Sequence, residues 1–353
     1  MVASVLDAEG LRDRVHKQLD AFLTTQAPIL ENVSDDLAPL LDALSGLLAG
    51  GKRLRPAFCY WGWRGAGAAD TEEILAAAAA LELIQACALI HDDVMDGSDT
   101  RRGQPSVHHR FAGLHRSSQW FGSPESFGTG AAILLGDLSL SWSDELFFRS
   151  GLPPDSLLRA KPVFDEMRTE LMAGQYLDLL EQARGGGSVE RAMRVARYKA
   201  AKYTIERPLH LGGILAGAPP ELIETYSAYG LPLGEAFQLR DDVLGVFGDP
   251  SETGKPAGDD LREGKRTVLV AVALKQASPA QEAVVRRHLG DPHLSRPGVD
   301  ALREVIVETG ALDHVETLIN ALTDQALAAL TPVADPARDV LAQLAVAATA
   351  RRV

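Results

Sequence analysis

Cysteine is scarce in this chain of 353 residues: Cys59 and Cys87 are the only two. Each sits in an apolar run and two thiols cannot build a disulfide framework, which predicts reduced thiols in a cytoplasmic protein. Basic charge is also short. Lys and Arg number 35 against 48 Asp and Glu, a net charge of −13. With no cationic surplus to neutralise backbone phosphates, a general nucleic-acid binder is excluded. Aromatics make up only 6%, and Trp61, Trp63, Trp120 and Trp142 are too scattered for a base-stacking platform. The N-terminus lacks the basic start, apolar core and small-residue cleavage site of a signal peptide. Alternating β-branched runs bounded by turn residues are almost missing. No glycine-rich loop ends in Gly-Lys-Ser/Thr, which argues against a P-loop nucleotide enzyme. His91, His108, His109 and His115 fit no zinc spacing, and no cysteine joins them.

What is present is ordinary globular composition, 46% hydrophobic and 24% charged, arranged with a helical period. The pattern predicts helices over 8–24, 35–48, 54–64, 71–97, 127–150, 155–181, 188–215, 220–247, 266–277, 279–289, 298–309, 311–330 and 336–351. Short breaks rich in Gly and Pro separate them, so the chain reads as one all-α domain, 1–353, of antiparallel helices. The stretch 101–126 is the longest predicted irregular segment, and its length suggests a lid. The most apolar run, 74–90, carries Glu82 and Gln85 and leads straight into His91-Asp92-Asp93. Carboxylates at its end make it a core helix, with no stable membrane insertion expected.

Two acidic clusters carry the chemistry. In Asp92-Asp93-Val94-Met95-Asp96, Asp92 and Asp96 lie one helical turn apart on one face. Like charges near a helix C-terminus oppose both each other and the dipole, so a bound cation is expected; oxygen-only ligands at this spacing suit Mg²⁺. A second cluster, Gln238-Leu239-Arg240-Asp241-Asp242, again closes an apolar helix. Two such helices facing each other place both acidic pairs across one cavity. Basic residues cluster in Gly50-Gly51-Lys52-Arg53-Leu54-Arg55, in Arg101-Arg102, at Lys199 and Lys202, and at Lys255 and Lys265-Arg266. Arg offers phosphate a planar fork and Lys a point charge. Gly50-Gly51 frees the backbone to come close and sets Lys52 at a helix start.

These residues fall in blocks. GGKRLRP at 50–56, Gln85, DDVMD at 92–96, RRG at 101–103, GQYLDL at 174–179, YKAAKYT at 198–204, FQLRDDVLG at 237–245 and TGKPAGDDLREGK at 253–265 follow one another. In that order the chain resembles the trans-isoprenyl diphosphate synthases, or polyprenyl synthetases, most closely short-chain synthases of actinobacterial type. The resemblance implies an isoprenoid synthase-like helix bundle around a central cavity. It also implies a homodimer and a Mg²⁺-dependent condensation of isopentenyl diphosphate with allylic diphosphates. By the same resemblance Asp92, Asp96 and Asp241 ligand three Mg²⁺ ions, with Asp93 and Asp242 as support or further ligands, and these five carboxylates with Lys199 form the catalytic set. Arg101, Lys199, Lys255, Gln238 and Lys265 line or hold the allylic diphosphate. Lys52, Arg55, Arg102 and Gln85 hold isopentenyl diphosphate, Gln85 standing where many relatives have His. Gln175 and Asp178 match residues near the allylic cation. Two departures stand out: Gly245 where many relatives have Asp, and Ala200 where many have Thr.

In the family, the residues four and five before the first Asp gate product length. Here they are Ala88 and Cys87; both are small, and Ile84 a turn below is a candidate floor. Geranylgeranyl diphosphate is therefore the expected main product, with farnesyl diphosphate as intermediate or side product. Two other readings remain open: a terpene cyclase, which needs no isopentenyl site, and a non-catalytic subunit of a heteromeric synthase, a class that tends to lose acidic ligands.

Overall fold

The computed structural model describes residues 9–248 and 258–350. Within them the chain is helical almost throughout: α1 (Leu11–Glu31), α2 (Ala38–Ala49), α3 (Leu54–Gly65), α4 (Glu72–Asp96), α5 (Val107–Ser117), α6 (Pro124–Phe148), α7 (Pro154–Arg184), α8 (Val189–Val195), a π-helical stretch (Ala196–Glu206), α9 (Arg207–Leu215) and α10 (Pro220–Phe247). The short α11 (Asp259–Arg262), then α12 (Val268–Gln276), α13 (Pro279–His288), α14 (Arg296–Glu308), α15 (Ala311–Ala329) and α16 (Ala337–Thr349) complete it. The sequence pattern anticipated most of these. The first helix starts later and runs further than expected, through Pro28 to Glu31.

The stretch 101–126 corrects the reading of an irregular lid. Residues Thr100–Arg101 pair antiparallel with Gln104–Pro105, and α5 follows. Its apolar residues Val107, Phe111 and Ala112 are buried, and Gly128 lets α6 close on it: a Cβ there would lie 2.2 Å from the His108 carbonyl oxygen. The apolar period of α5 is short and interrupted by His and Arg, so packing rather than pattern strength fixes it as helix.

α4 is long and apolar enough to cross a membrane, yet nearly all its residues from Ile74 to Ala86 are buried inside the bundle. The run of alanines 76–80 lets neighbouring helices approach closely on every side. α10 serves two cores. Tyr226, Tyr229, Leu233 and Phe237 join the larger one around α4, α6 and α9. Ala236, Leu239, Val243 and Val246 join a second with α12, α14 and α15. Burial in both directions immobilises α10, which carries the second acidic cluster.

Candidate active site

The C-terminal end of α4, the last turns of α10, the π-helical stretch, the loop before α3 and the segment around α11 open on one cavity of about 890 Å³. Asp92 from α4 and Asp241 and Asp242 from α10 line it together, so both acidic clusters meet as the facing-helix argument required. Lys52, Arg55, Gln85, Ala88, Arg101, Arg102, Lys199, Gln238 and Lys265 line the same space. Lys255 lies outside the described residues. Asp96 does not line the cavity, nor does Asp93. Asp93 is buried and accepts from the Arg101 guanidinium, with Nε at 2.9 Å, and so aims Arg101.

Lys265 ties the acidic side together: its Nζ stands 3.2 Å from Asp96 Oδ2, 3.3 Å from Asp260 Oδ1 and 2.6 Å from Glu263 Oε2. Lys199 donates to Asp92 Oδ1 at 3.0 Å and Asp178 Oδ2 at 2.7 Å, and Gln175 donates to Asp92 Oδ1 at 2.9 Å. Gln238 donates to Asp242 at 2.8 Å. Burial alone would raise the Asp92 carboxyl, but Lys199, Lys265 and Arg101 outweigh it and hold Asp92 well below the usual carboxylate range. Burial pushes Asp96 up to about 6, against Lys265 and with Asp92 adding to the rise. Burial pushes Asp242 up to about 8, with Asp260 and Asp241 contributing. Both Asp96 oxygens are buried and make no hydrogen bond. The Lys265 ammonium beside it is shared with Asp260 and Glu263, and a bound cation would complete the compensation of its charge. Among the described residues no three acidic, His or Cys side chains form a closed metal cage. The donors that Asp92, Asp241 and Asp242 offer to the cavity are carboxylate oxygens, which suit a hard divalent cation that keeps waters.

The π-helical stretch presents Lys199. Wide turns of this kind are rare and concentrate at functional sites. Small residues on both neighbours admit it: a Cβ at Gly174 of α7 would lie 2.4 Å from the Lys199 amide nitrogen, and one at Gly234 of α10 would lie 2.5 Å from Ala201 Cα. The sequence pattern predicted a helix over 188–215 but not its widened middle, because hydrophobic spacing does not distinguish five-residue from four-residue hydrogen bonding.

The cationic side differs in detail from the expectation. Helix α3 begins at Leu54, so Lys52 sits in the loop before it and not at its first turn. Gly50 and Gly51 make room for Arg102: a Cβ on either would come within 3.2 Å of the guanidinium. Gly51 also has φ +117°, a conformation glycine adopts without strain. Arg53 is structural, buried and paired with Glu82 at 2.5 Å. Arg55 donates to Thr204 Oγ1 at 2.8 Å and lies 4.1 Å over the Tyr203 ring; the Tyr203 hydroxyl donates to Gln85 Oε1 at 2.7 Å. Tyr203 and Thr204 were missed as site residues, although the YKAAKYT block contains them.

Gly245 explains a second omission. A Cβ there would lie 1.8 Å from Asp260 Oδ2, so the Asp260 carboxylate fills the space that a side chain at 245 would take. The GDDLREGK segment held that carboxylate in plain view; only the contact between α10 and α11 shows where it goes. Ala200 lines the cavity without a hydroxyl. Of the proposed length gate, Ala88 lines the cavity, whereas Cys87 and Ile84 are fully buried. Cys87 Sγ lies 3.7 Å from His91 Nδ1, on the side of α4 that meets α6. Burial pushes its thiol up to about 12, which leaves it inert.

Residues 38–306 match the model of the polyprenyl synthetase family. A geranylfarnesyl diphosphate synthase of Aeropyrum pernix is 33% identical over 81% of this chain and 86% of its own length. A geranylgeranyl diphosphate synthase of Methanosarcina mazei is 31% identical over 84% of this chain and 85% of its own. Among solved structures, a geranylgeranyl pyrophosphate synthase of Corynebacterium glutamicum, complexed with isoprenyl diphosphate and magnesium, superposes with a TM-score of 0.94. It is 43% identical and covers 97% of this chain and 99% of its own.

Proposed function

Because the chain belongs to the polyprenyl synthetase family and is a trans-prenyltransferase, we propose that it condenses isopentenyl diphosphate head-to-tail with dimethylallyl, geranyl and farnesyl diphosphates. The observation that carries this reading is the meeting of two separate cationic groups and two acidic clusters on one cavity. One group, Lys199, Lys265 and Arg101, stands against the carboxylates. The other, Arg55, Arg102 and Lys52 with Gln85, stands at the loop before α3. Two diphosphates need two such cradles. A terpene cyclase, which binds one diphosphate, has no use for the second, and a chain retaining Asp92, Asp96, Asp241 and Asp242 is equipped to act without a partner.

Asp92, Asp96 and Asp241 would hold Mg²⁺, three ions per site by family pattern, with Asp242 and Asp260 behind them. Bound there, Mg²⁺ neutralises charge on the departing diphosphate. Lys199, Lys265 and Arg101 hold that diphosphate and stabilise the negative charge that grows on it as the allylic carbon–oxygen bond breaks. Arg55 and Arg102 orient isopentenyl diphosphate, with Gln85 held by Tyr203. Its double bond then supplies the electron pair for the new carbon–carbon bond. A proton leaves the adjacent carbon for the departing diphosphate, so prenyl diphosphate and inorganic diphosphate are the products. Leu171, Phe237, Leu89 and Ala88 give the growing chain an apolar wall and keep water from the cation.

Geranylgeranyl diphosphate is the proposed main product, with farnesyl diphosphate as side product, supported by small Ala88 at the cavity wall. A homodimer is supported by exposed apolar residues of the loop before α6 and of α6 itself: Trp120, Phe121, Phe127, Ile133 and Leu134. The reduced cysteines support a cytoplasmic setting.

Purified protein incubated with labelled isopentenyl diphosphate and each allylic primer, with and without Mg²⁺, should place label in a C20 diphosphate only when Mg²⁺ is present. Consumption of the allylic primer without label in the product would assign a cyclase, and inactivity relieved only by a partner chain would assign a subunit.

A further inference from the structure

A second cavity of about 460 Å³ lies beside the first. It is lined by the loop 185–187, three consecutive glycines after α7, by Arg266, by Lys275 and Leu274 of α12, and by Arg286 of α13. Three cations face it against one carboxylate, Glu282, already paired with Arg286 at 2.6 Å. In a chain of net charge −13 that local excess of positive charge needs a reason. Arg266 supplies the sharpest one. Its Nε is buried and makes no hydrogen bond, and its guanidinium has no ion-pair partner among the described residues. The side chain as a whole is half-buried, so its other guanidinium N–H groups stay open to an incoming anion. The amides of Gly186 and Gly187 donate to no backbone acceptor among the described residues.

Arg266 also lines the reaction cavity. It follows Lys265, whose ammonium holds Asp96 and Asp260. A single side chain therefore stands in the wall between the two spaces.

The geometry points to a second anion site: the cavity between the triglycine loop, α12 and α13 binds a diphosphate group, and its occupancy is felt in the reaction cavity through Arg266. Among the described residues no aromatic side chain lines it, so a nucleotide base would find no stacking platform there. Leu274 and Val285 offer an apolar rim. The diphosphate can arrive as free inorganic diphosphate or as the head of a prenyl diphosphate. An anion there draws the Arg266 guanidinium towards itself and weakens the positive wall beside Lys265, which lowers affinity for diphosphate in the reaction cavity. The binding claim stands apart from the proposed reaction; the coupling claim rests on it.

The test compares the full chain with the double variant Lys275→Ala, Arg286→Ala. Both side chains are exposed and outside the reaction cavity, so the variant should fold and turn over as the parent does. Calorimetric titration with inorganic diphosphate and Mg²⁺ should show one more equivalent bound per chain in the parent, weakened about tenfold or more in the variant. Identical stoichiometry and affinity in the two proteins would overturn the site. Repeating the titration with farnesyl diphosphate separates the sources: a tighter extra equivalent assigns the prenyl diphosphate, an equal one the inorganic anion, and each supports the site. Inhibition of turnover by added diphosphate should contain a component not competitive with the allylic substrate in the parent alone; its absence from the parent would overturn the coupling. If no prenyl transfer is found at all, the extra equivalent is still expected.

Discussion

Gly245 and Asp260 show how a single position can be misread when it is read alone. In the sequence Gly245 is a missing carboxylate. In the fold it is the clearance that lets Asp260 approach α10, since any Cβ at 245 would sit 1.8 Å from Asp260 Oδ2. Ala88 is the opposite case: the family resemblance singles it out four residues before Asp92, and the fold sets it on the cavity wall. An aromatic ring there would fill the path of the growing chain. Ala88→Phe is expected to shift the main product from C20 to C15 or shorter with turnover on dimethylallyl diphosphate kept within about tenfold. Chromatography of dephosphorylated products reads this directly, and an unchanged C20 distribution would remove Ala88 from the length gate. Cys87, next to it in sequence, belongs to the same gate by the family resemblance. Its side chain points to His91, because adjacent helical residues are a hundred degrees apart around the axis.

The π-helical stretch is the element on which the site depends most and which was least visible. Its residues read as helix, and helix they are, but the widened turn is imposed by what packs on it. Glu170 of α7 accepts from both Lys202 and Arg207, the latter at 2.8 Å, and Arg197 is held by Glu235 of α10 at 2.6 Å. Gly174, Gly230 and Gly234 give up their side chains so that backbone can meet backbone. Gly174→Ala would drive a methyl to within 2.4 Å of the Lys199 amide nitrogen, where no flexible side chain can yield. The expected cost is about 1–3 kcal/mol, seen as a lower urea midpoint. Because Lys199 moves with its backbone, turnover should fall more than tenfold in protein that is still folded. A variant of parental activity would show that the stretch tolerates displacement.

Across the whole molecule, the bundle holds carboxyls in a state the unfolded chain would not. Asp242 is raised to about 8 by burial, against about 3.9 in an unfolded chain. Its contribution to stability is thus complete below about pH 4 and is lost as pH rises through about 8. Asp96, raised to about 6, has the same sign and has lost most of its share by neutral pH. His210 works the other way: burial lowers it to about 4, so its share is lost only as pH falls below about 6.5. Between about pH 6.5 and 8.5 the Asp242 carboxyl sets the slope. Protein in EDTA should lose roughly 2 kcal/mol of stability across that window, measured as a falling Tm. Mg²⁺ with diphosphate favours the ionised carboxylates and should flatten the fall. A Tm in EDTA that rises over the same range would contradict this account of the acidic edge.

The helical architecture, the acidic pairs and the basic blocks were determined by the sequence by itself, because hydrophobic period and charge spacing are local properties that need no partner. What only the tertiary structure decided is which side chains share a space. It alone turned Asp93 away from the cavity to orient Arg101, brought Asp260 against Gly245, set Tyr203 under Arg55, made α5 a helix, and opened a second cationic cavity across Arg266. Each of these depends on contacts between residues far apart in the chain or on different helices, and the free energy of such contacts comes from packing and desolvation that no single segment carries.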